Sequence, residues 1–324
     1  MKRNKIVVTG AAGFIGSALV KYLNEQNIKN IFIVDDLRNE KWKNLVGKNF
    51  LDIFSKDDIY ENLKKNKNEI LAIFHLGACS DTTCTDEEYL LNNNFRFTKK
   101  LCEFALENNI RFIYASSAAT YGDGTSGFKD DIENIENLRP INMYAYSKQL
   151  FDLWAKSNNI LDKIAGLKYF NVFGPNEYHK NDMASMIYKM KNIVQKDKKV
   201  FLFKSNDLKN FKDGEQKRDF IYVKDAVQMT YLFLENPNVN GLFNIGSGTA
   251  SSWIDLASSL FNALNVQKNI EFIDMPKNLL SQYQNYTCAD MTKFFSFFKN
   301  FKITNINDSV NDYVKNYLIE DKRW

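Results

Sequence analysis

Short apolar runs alternate along this chain with longer segments whose apolar residues recur at three- and four-residue spacing. The runs are "KIVV" (5–8), "IFIV" (31–34), "LAIFHL" (71–76), "RFIYAS" (111–116) and "AGLKYF" (165–170). Each is too short for a helix and is flanked by turn residues, so each reads as a strand. Between them, Phe14, Ala18, Leu19, Tyr22 and Leu23 share one helical face, as do Leu101, Phe104 and Ala105. Strand and helix repeating in this order predict an α/β fold: a doubly wound parallel sheet with helices on both faces. After residue 172 the pattern loses regularity. "KSNDLKNFKDGEQK" (204–217) reads as an exposed loop, and "RDFIYVKDAVQMTYLFLEN" (218–236) returns to strand and then helix. The expected organisation is a large sheet domain from 1–172 with 219–248 crossing back to it, and a smaller α/β lobe from 173–218 and 249–324. The aromatic run "FFSFF" (294–298) is expected to pack beneath the smaller lobe.

Composition narrows the partners more than the fold. The chain has 324 residues, 44% hydrophobic and 25% charged, which is ordinary globular usage for an enzyme-sized protein. Its 43 Lys+Arg and 39 Asp+Glu leave a net charge of +4, spread without a basic stripe, so nucleic acid is not expected as a partner. The four cysteines form no CxxC pair, and no metal site is expected; a reducing cytoplasm fits this usage. No run of about 20 apolar residues occurs, and the apolar start breaks at a glycine turn without a cleavage site. A soluble, unprocessed chain away from the membrane is therefore expected.

That glycine turn carries the first chemistry. Gly10, Gly13 and Gly16 follow the first strand and open a helix. Lacking Cβ, they permit a tight turn, close approach of backbone to a pyrophosphate and close packing of helix on sheet, while the helix N-terminus aims N–H groups at phosphate. "VDD" (34–36) closes the second strand about 20 residues later, where a carboxylate meets an adenosine ribose. The large domain is thus expected to be a dinucleotide-binding Rossmann unit and the small lobe to bind substrate. Arg38 and Lys41 stand where they could take a ribose 2′-phosphate, whereas Asp36 repels one. The expected cofactor is NADP, with NAD the alternative.

Catalytic candidates lie at the next strand end. "YASSAATYG" (114–122) closes a strand, and "YAYSK" (144–148) starts a helix on which Tyr144 and Lys148, four apart, share a face. Moving a tyrosine from about 10 to about 7 takes about 4 kcal/mol. One positive charge about 4 Å away at an effective dielectric near 20 supplies about that much. Tyr144 is then expected to act as general base on an alcohol whose carbon yields hydride, with Ser117 binding the oxygen. Tyr146 is a second tyrosine on the same turn, but only Tyr144 stands one turn before the lysine. His75, ending a strand, reads as core, and His179 as a loop residue. Taken alone, Lys180 reads as an exposed or phosphate-binding charge.

The glycine block "TGAAGFIG" (9–16), in GxxGxxG spacing, resembles that of the extended short-chain dehydrogenase/reductases, the NAD-dependent epimerase/dehydratase family. In such proteins Asp35 would bind the ribose. Dehydratases of this group carry an Asp-Glu pair after the strand-end serine, where this chain has Ala118 and Ala119, so dehydration is disfavoured. "HLGACSDTT" (75–83), "NNNF" (92–95), "KYFNVFGPNEYHKNDMAS" (168–185), "KRDFIYV" (217–223) and "YQNYTCADM" (283–291) extend the likeness along nearly the whole chain, toward the ADP-heptose 6-epimerases. That resemblance implies a homo-oligomer, a ring of five among relatives, acting on ADP-heptose in building the inner core of bacterial lipopolysaccharide. It implies Tyr144 and Lys180 as the two acid/base residues. It also implies substrate contacts from Asn171, Asp182, Lys189, Phe203, Lys204, Ser205, Asn206, Arg218 and Tyr283. The cofactor would meet Gly10, Ala11, Gly13, Phe14, Ile15, Gly16, Asp35, Asp36, Lys41, Lys56, Leu76, Gly77, Ala78, Cys79, Ser80, Asn93, Lys148, Val172 and Lys180. Asp36 stands where an uncharged residue is usual, and the loop before Arg218 is long for the family. The rival readings are a UDP-hexose 4-epimerase of the same fold and a non-catalytic dinucleotide-binding scaffold.

Overall fold

Apolar runs that are buried on both faces belong in the middle of a parallel sheet, and that is where the five runs lie. A computed structural model describes residues 3–280 and 283–324. Its strands are β1 (Lys5–Thr9), β2 (Ile31–Val34), β3 (Asp52–Phe54), β4 (Ile70–His75), β5 (Arg111–Ser117), β6 (Ala165–Tyr169), β7 (Asn171–Phe173), β8 (Val200–Phe203), β9 (Lys217–Tyr222), β10 (Gly241–Ile245), β11 (Ala250–Ser252) and β12 (Ile270–Ile273). Seven form one parallel sheet in the order β10-β6-β5-β4-β1-β2-β3. The order reverses at β1, so the crevice outside the carboxyl ends of β1 and β4 is where a ligand is expected in such a sheet.

Helices Phe14–Glu25 and Val223–Glu235 pack together on one face of this sheet, and Met143–Ser157 packs on β5. β7, β9 and β11 make a small mixed sheet, and β8 pairs with β12 in parallel. The chain therefore leaves the large sheet after β6, pairs β9 in the small sheet, and re-enters the large one through helix Val223–Glu235 and β10.

Two expectations need correction. The aromatic run packs at the edge of the large sheet: Phe298 lies 5.4 Å from Phe233 and Phe297 lies 5.7 Å from Phe243, centroid to centroid. The turn into helix Thr292–Phe297 brings it back beside β10 instead of beneath the small lobe. The hydrophilic stretch 204–217 is not exposed throughout. Gly214 and Gln216 are buried, with the Gly214 N–H on Phe203 O and the Gln216 side chain on Lys204 O at 3.2 Å. No helix among the described residues is long and apolar enough to cross a membrane.

Candidate active site

The carboxyl ends of β1, β2, β4 and β5 bring the sequence motifs to one edge of the sheet. Gly10 has φ +67°, and a Cβ built there would lie 2.6 Å from the Gly77 Cα. A Cβ on Gly16 would lie 2.0 Å from the Gly10 carbonyl oxygen. Two backbones and a helix start thus close on one another at a point only glycine allows. No side chain caps the helix at Gly13, which leaves its first-turn N–H groups facing the crevice. This cradle fits a pyrophosphate.

Around the turn, the second strand end is already engaged. One carboxylate oxygen of Asp35 accepts the Ala12 and Gly13 N–H groups at 2.9 and 3.2 Å, and the other accepts the Lys41 ammonium at 3.0 Å. Asp35 therefore braces the turn as well as standing at the expected ribose position. Lys41 also reaches Asp36, at 3.2 Å, and Arg38 pairs with Asp36 at 2.9 Å. On the β4 side, Leu76, Gly77, Ala78, Cys79 and Ser80 form the loop facing the turn. Lys56 donates to Asn93 at 3.0 Å.

Asn94, which the sequence reading passed over in favour of Asn93, does more to fix this loop. It is buried, accepts the Cys79 N–H, donates to the Cys79 carbonyl, and donates to Ser147 on the tyrosine's helix. His75 is core, as expected. Its ring nitrogens sit between Thr9 and Thr98 at 2.7 and 2.8 Å, and burial pushes its pKa down to about 3.

Asn142 caps helix Met143–Ser157 by accepting the Ala145 N–H at 2.8 Å, which sets Tyr144 and Lys148 in its first two turns. Ser117 is the last residue of β5, and its hydroxyl adjoins Tyr144. The expectation that Lys148 draws the phenol toward neutrality is not met by the protein alone. Burial raises the Tyr144 pKa above its usual value, and the Ser117 hydroxyl only partly offsets this. The Lys148 ammonium is instead hydrogen-bonded to the Ala115 carbonyl at 2.9 Å, and burial lowers its own pKa to about 8. One turn further on, Asp152 holds a fully buried Lys168 at 2.6 Å, together with Tyr114 and Ser116. The Asp152 charge favours the protonated form of Lys148.

Lys180 sits in a 3₁₀ segment, Tyr178–Met183, and not on an exposed loop tip. Its ammonium lies 5.4 Å from the centre of the Phe14 ring, at the opening of the glycine-turn helix. Burial lowers its pKa, Glu177 opposes that shift and Lys189 adds to it. Three buried polar residues to which the sequence assigns no role hold this segment. Buried Asn44 donates to the carbonyls of Ala12 and Asn176, both at 3.0 Å, and meets His179 at 3.2 Å. Asn176, at φ +80° and fully buried, donates to Ser17 at 3.1 Å and exchanges two hydrogen bonds with Trp324. The buried Glu177 carboxylate accepts from Ser185 and, at 2.9 Å, from Tyr313. Asn176 and Glu177 fall inside the 168–185 block, but nothing in its spacing marks them as supports, and Asn44 falls in none of the quoted blocks.

The remaining substrate candidates divide into two groups. Arg218 is buried, with its guanidinium over the rings of Tyr283 and Trp253 at 5.1 and 5.8 Å. Among the described residues it has no carboxylate within ion-pair distance, which suits a diphosphate. Tyr283 accepts from the Trp253 indole at 2.8 Å and meets Phe203 edge-on. Ser205 is half-buried and Asn206 exposed beside it, while Lys204 is exposed and paired with Asp274 at 2.9 Å. Asn171 and Val172 lie on β7, Asn171 exposed, and the Lys189 ammonium donates to the Asp182 carbonyl.

The model of the NAD dependent epimerase/dehydratase family matches residues 6–246. The chain is 47% identical over 315 residues to an ADP-L-glycero-D-manno-heptose-6-epimerase of Nitratidesulfovibrio vulgaris, covering 96% of this chain and 97% of that one. Among solved structures, the Helicobacter pylori ADP-L-glycero-D-manno-heptose-6-epimerase superposes with a TM-score of 0.79 at 26% identity, over 97% of this chain and 96% of that one. The UDP-N-acetylglucosamine 4-epimerase of Methanobrevibacter ruminantium reaches a TM-score of 0.83, also at 26%, over 99% and 100%.

Proposed function

The chain belongs to the NAD dependent epimerase/dehydratase family, and we propose that within it the protein inverts C6 of ADP-D-glycero-β-D-manno-heptose to give ADP-L-glycero-β-D-manno-heptose. A nicotinamide dinucleotide, when bound, supplies the hydride acceptor and donor that carry C6 through a ketone with no net redox. The glycine turn and Asp35 would hold its pyrophosphate and ribose, and the loop 76–80, with Lys148, would line its nicotinamide half.

Tyr144 takes the C6 hydroxyl proton in one configuration while Ser117 binds the oxygen. In the inverted alcohol that oxygen stands elsewhere, where one fixed base would serve it poorly, and Lys180 exchanges the proton there. A proton-transfer group of this kind contributes about 10² to 10⁴ in rate. The observation that carries this reading is the position of Lys180: folded in over Phe14 beside the turn, with burial favouring its neutral form. A lysine so held gives up its proton more readily than a free one, which suits a proton-transfer role. Arg218, stacked on Tyr283, receives the diphosphate, and the cleft residues Asn171, Asp182, Lys189 and Phe203 to Asn206 receive the heptose.

The product's use in lipopolysaccharide assembly, a cytoplasmic location and a homo-oligomeric state belong to the same proposal. Incubation with ADP-D-glycero-β-D-manno-heptose followed by proton NMR tests it: conversion to an epimeric mixture is expected, and no conversion refutes it. The fold likeness to a 4-epimerase makes UDP-galactose the control substrate, and its turnover in place of ADP-heptose would favour that rival. A nicotinamide absorbance change on adding sugar nucleotide separates both from a silent scaffold.

A further inference from the structure

The buried side of helix Met143–Ser157 holds an ion pair that the proton-transfer steps do not use. Asp152 stands one turn after Lys148, on the same face of the helix. Its carboxylate accepts the Lys168 ammonium of β6 at 2.6 Å and the Tyr114 and Ser116 hydroxyls of β5, each at 2.8 Å. Asp152 and Lys168 are both fully buried. The Lys168 ammonium also donates to Thr120 at 2.8 Å, and the Thr120 hydroxyl donates to the Ser117 carbonyl at 2.8 Å. The pair therefore ties the helix of Tyr144 and Lys148 to the strand end that carries Ser117.

Lys148 is buried as well, and its bond to the neutral Ala115 carbonyl brings it no opposite charge. Among the described residues, Asp152 is the carboxylate whose charge reaches it. The other charges on the elements packed against this helix are engaged elsewhere or exposed. Glu88 is paired with Arg96, Glu133 and Glu136 face Lys156, and Glu87 is exposed. Burial keeps His75 neutral and raises the pKa of the Tyr144 phenol and of the Cys79 thiol, so none of the three supplies a charge near neutral pH.

We propose that Lys168 is a positioning residue: by occupying the Asp152 carboxylate it keeps Asp152 from capturing Lys148, which stays supported by that charge and yet turned toward Tyr144. Without Lys168, the buried carboxylate would be left unpaired and would take Lys148, one turn away, off the Ala115 carbonyl. Without Asp152, Lys148 would be a buried cation with no counter-charge, and such a group sheds its proton. The two members of the pair thus act on Lys148 in opposite directions. The inference rests on the placing of Lys148 in the catalytic set and adds the residue that stands behind it.

The test titrates Lys148 itself, without substrate. The full chain is labelled with carbon-13 at the lysine Cε positions and followed by NMR from about pH 6 to about pH 11. Lys148 is assigned as the signal missing from Lys148→Arg. In the wild-type chain its midpoint is expected at about 8. Asp152→Asn, which can still accept from Tyr114 and Ser116, is expected to move the midpoint down by about one pH unit. Lys168→Gln, which can still donate to Thr120, is expected to move it up by about as much, and to lower turnover of ADP-heptose by about 10- to 100-fold. Lys168→Arg keeps the cation and is expected to restore both. Shifts in the same direction, or no shift from Lys168→Gln, overturn the inference, since a pair that only packs the core would not drive the midpoint both ways. Should a single variant fail to fold, Asp152→Asn combined with Lys168→Gln removes both charges together. Its midpoint is expected below that of the wild type, and a midpoint at or above the wild-type value overturns the inference. Opposed shifts in a chain that turns over no ADP-heptose uphold the inference and refute the proposed activity.

Discussion

The two proposed proton-handling residues are held in opposite ways. Tyr144 stands on helix Met143–Ser157, positioned by a cap at Asn142 and by a four-residue spacing to Lys148, all within seven residues. Lys180 stands on a short 3₁₀ segment with positive φ inside it at Asn181 and just before it at Asn176. Its position depends on Asn44, Ser17, Tyr313 and Trp324, which lie up to 159 residues along the chain from the groups they bond. One site is local and cooperative with its helix, and the other is assembled by tertiary contacts. The first should therefore tolerate damage outside its own residues, while the second should not.

The largest expected effects remove the proton carriers themselves. Lys180→Met and Tyr144→Phe should each lower kcat by about 10² to 10⁴ while sugar-nucleotide affinity stays within a few-fold, measured by NMR turnover and calorimetric binding. A large loss of affinity with kcat retained would make Lys180 a clamp on the diphosphate instead.

A sharper contrast comes from the supports. Asn176→Ala strands buried partners on Ser17 and Trp324 and leaves at φ +80° a residue without the short polar side chain by which asparagine tolerates that region. It should cost about 2–4 kcal/mol in urea unfolding and lower kcat through displacement of Lys180. Asn142→Ala removes one helix cap and should cost about 1 kcal/mol, and because the helix itself still holds Tyr144 four residues from Lys148, kcat should fall far less than in Asn176→Ala. Equal kinetic effects from the two would erase the distinction.

The smallest effect is in pH dependence. The buried Lys148 ammonium loses its proton near pH 8, well below the usual lysine value, so its charge is present below that pH and lost above it. The kcat/KM profile should fall above about pH 8. Lys148→Arg, which stays charged, should move the falling limb upward; an unmoved limb would assign it to another group.

The same contrast explains what could be read in advance. The five strands, the glycine turn and the Tyr144–Lys148 pair are set by periodicity and spacing over a few residues, and all are in place. Edge strand β3 is three residues long and partly exposed, so it left no apolar run to read. β8 and β12 complete each other only in space. Lys180 was legible through resemblance, because a lone lysine in a polar loop carries no local sign of burial. Its supports, Asn44, Asn176 and Glu177, were not legible, since a buried polar residue looks like any surface one until its partners are known. Tyr144 was misjudged in degree: the spacing to Lys148 is right, but spacing does not show that the ammonium is bonded to Ala115.

The central claim is that the hydrogen on C6 leaves and returns without meeting solvent. Turnover of unlabelled ADP-D-glycero-β-D-manno-heptose in heavy water, with mass spectrometry and NMR of the epimerised product, tests it most directly. The account expects inverted product whose C6 still carries protium. One deuterium at C6 for each inversion would mean a carbanion route through solvent protons, and would contradict it.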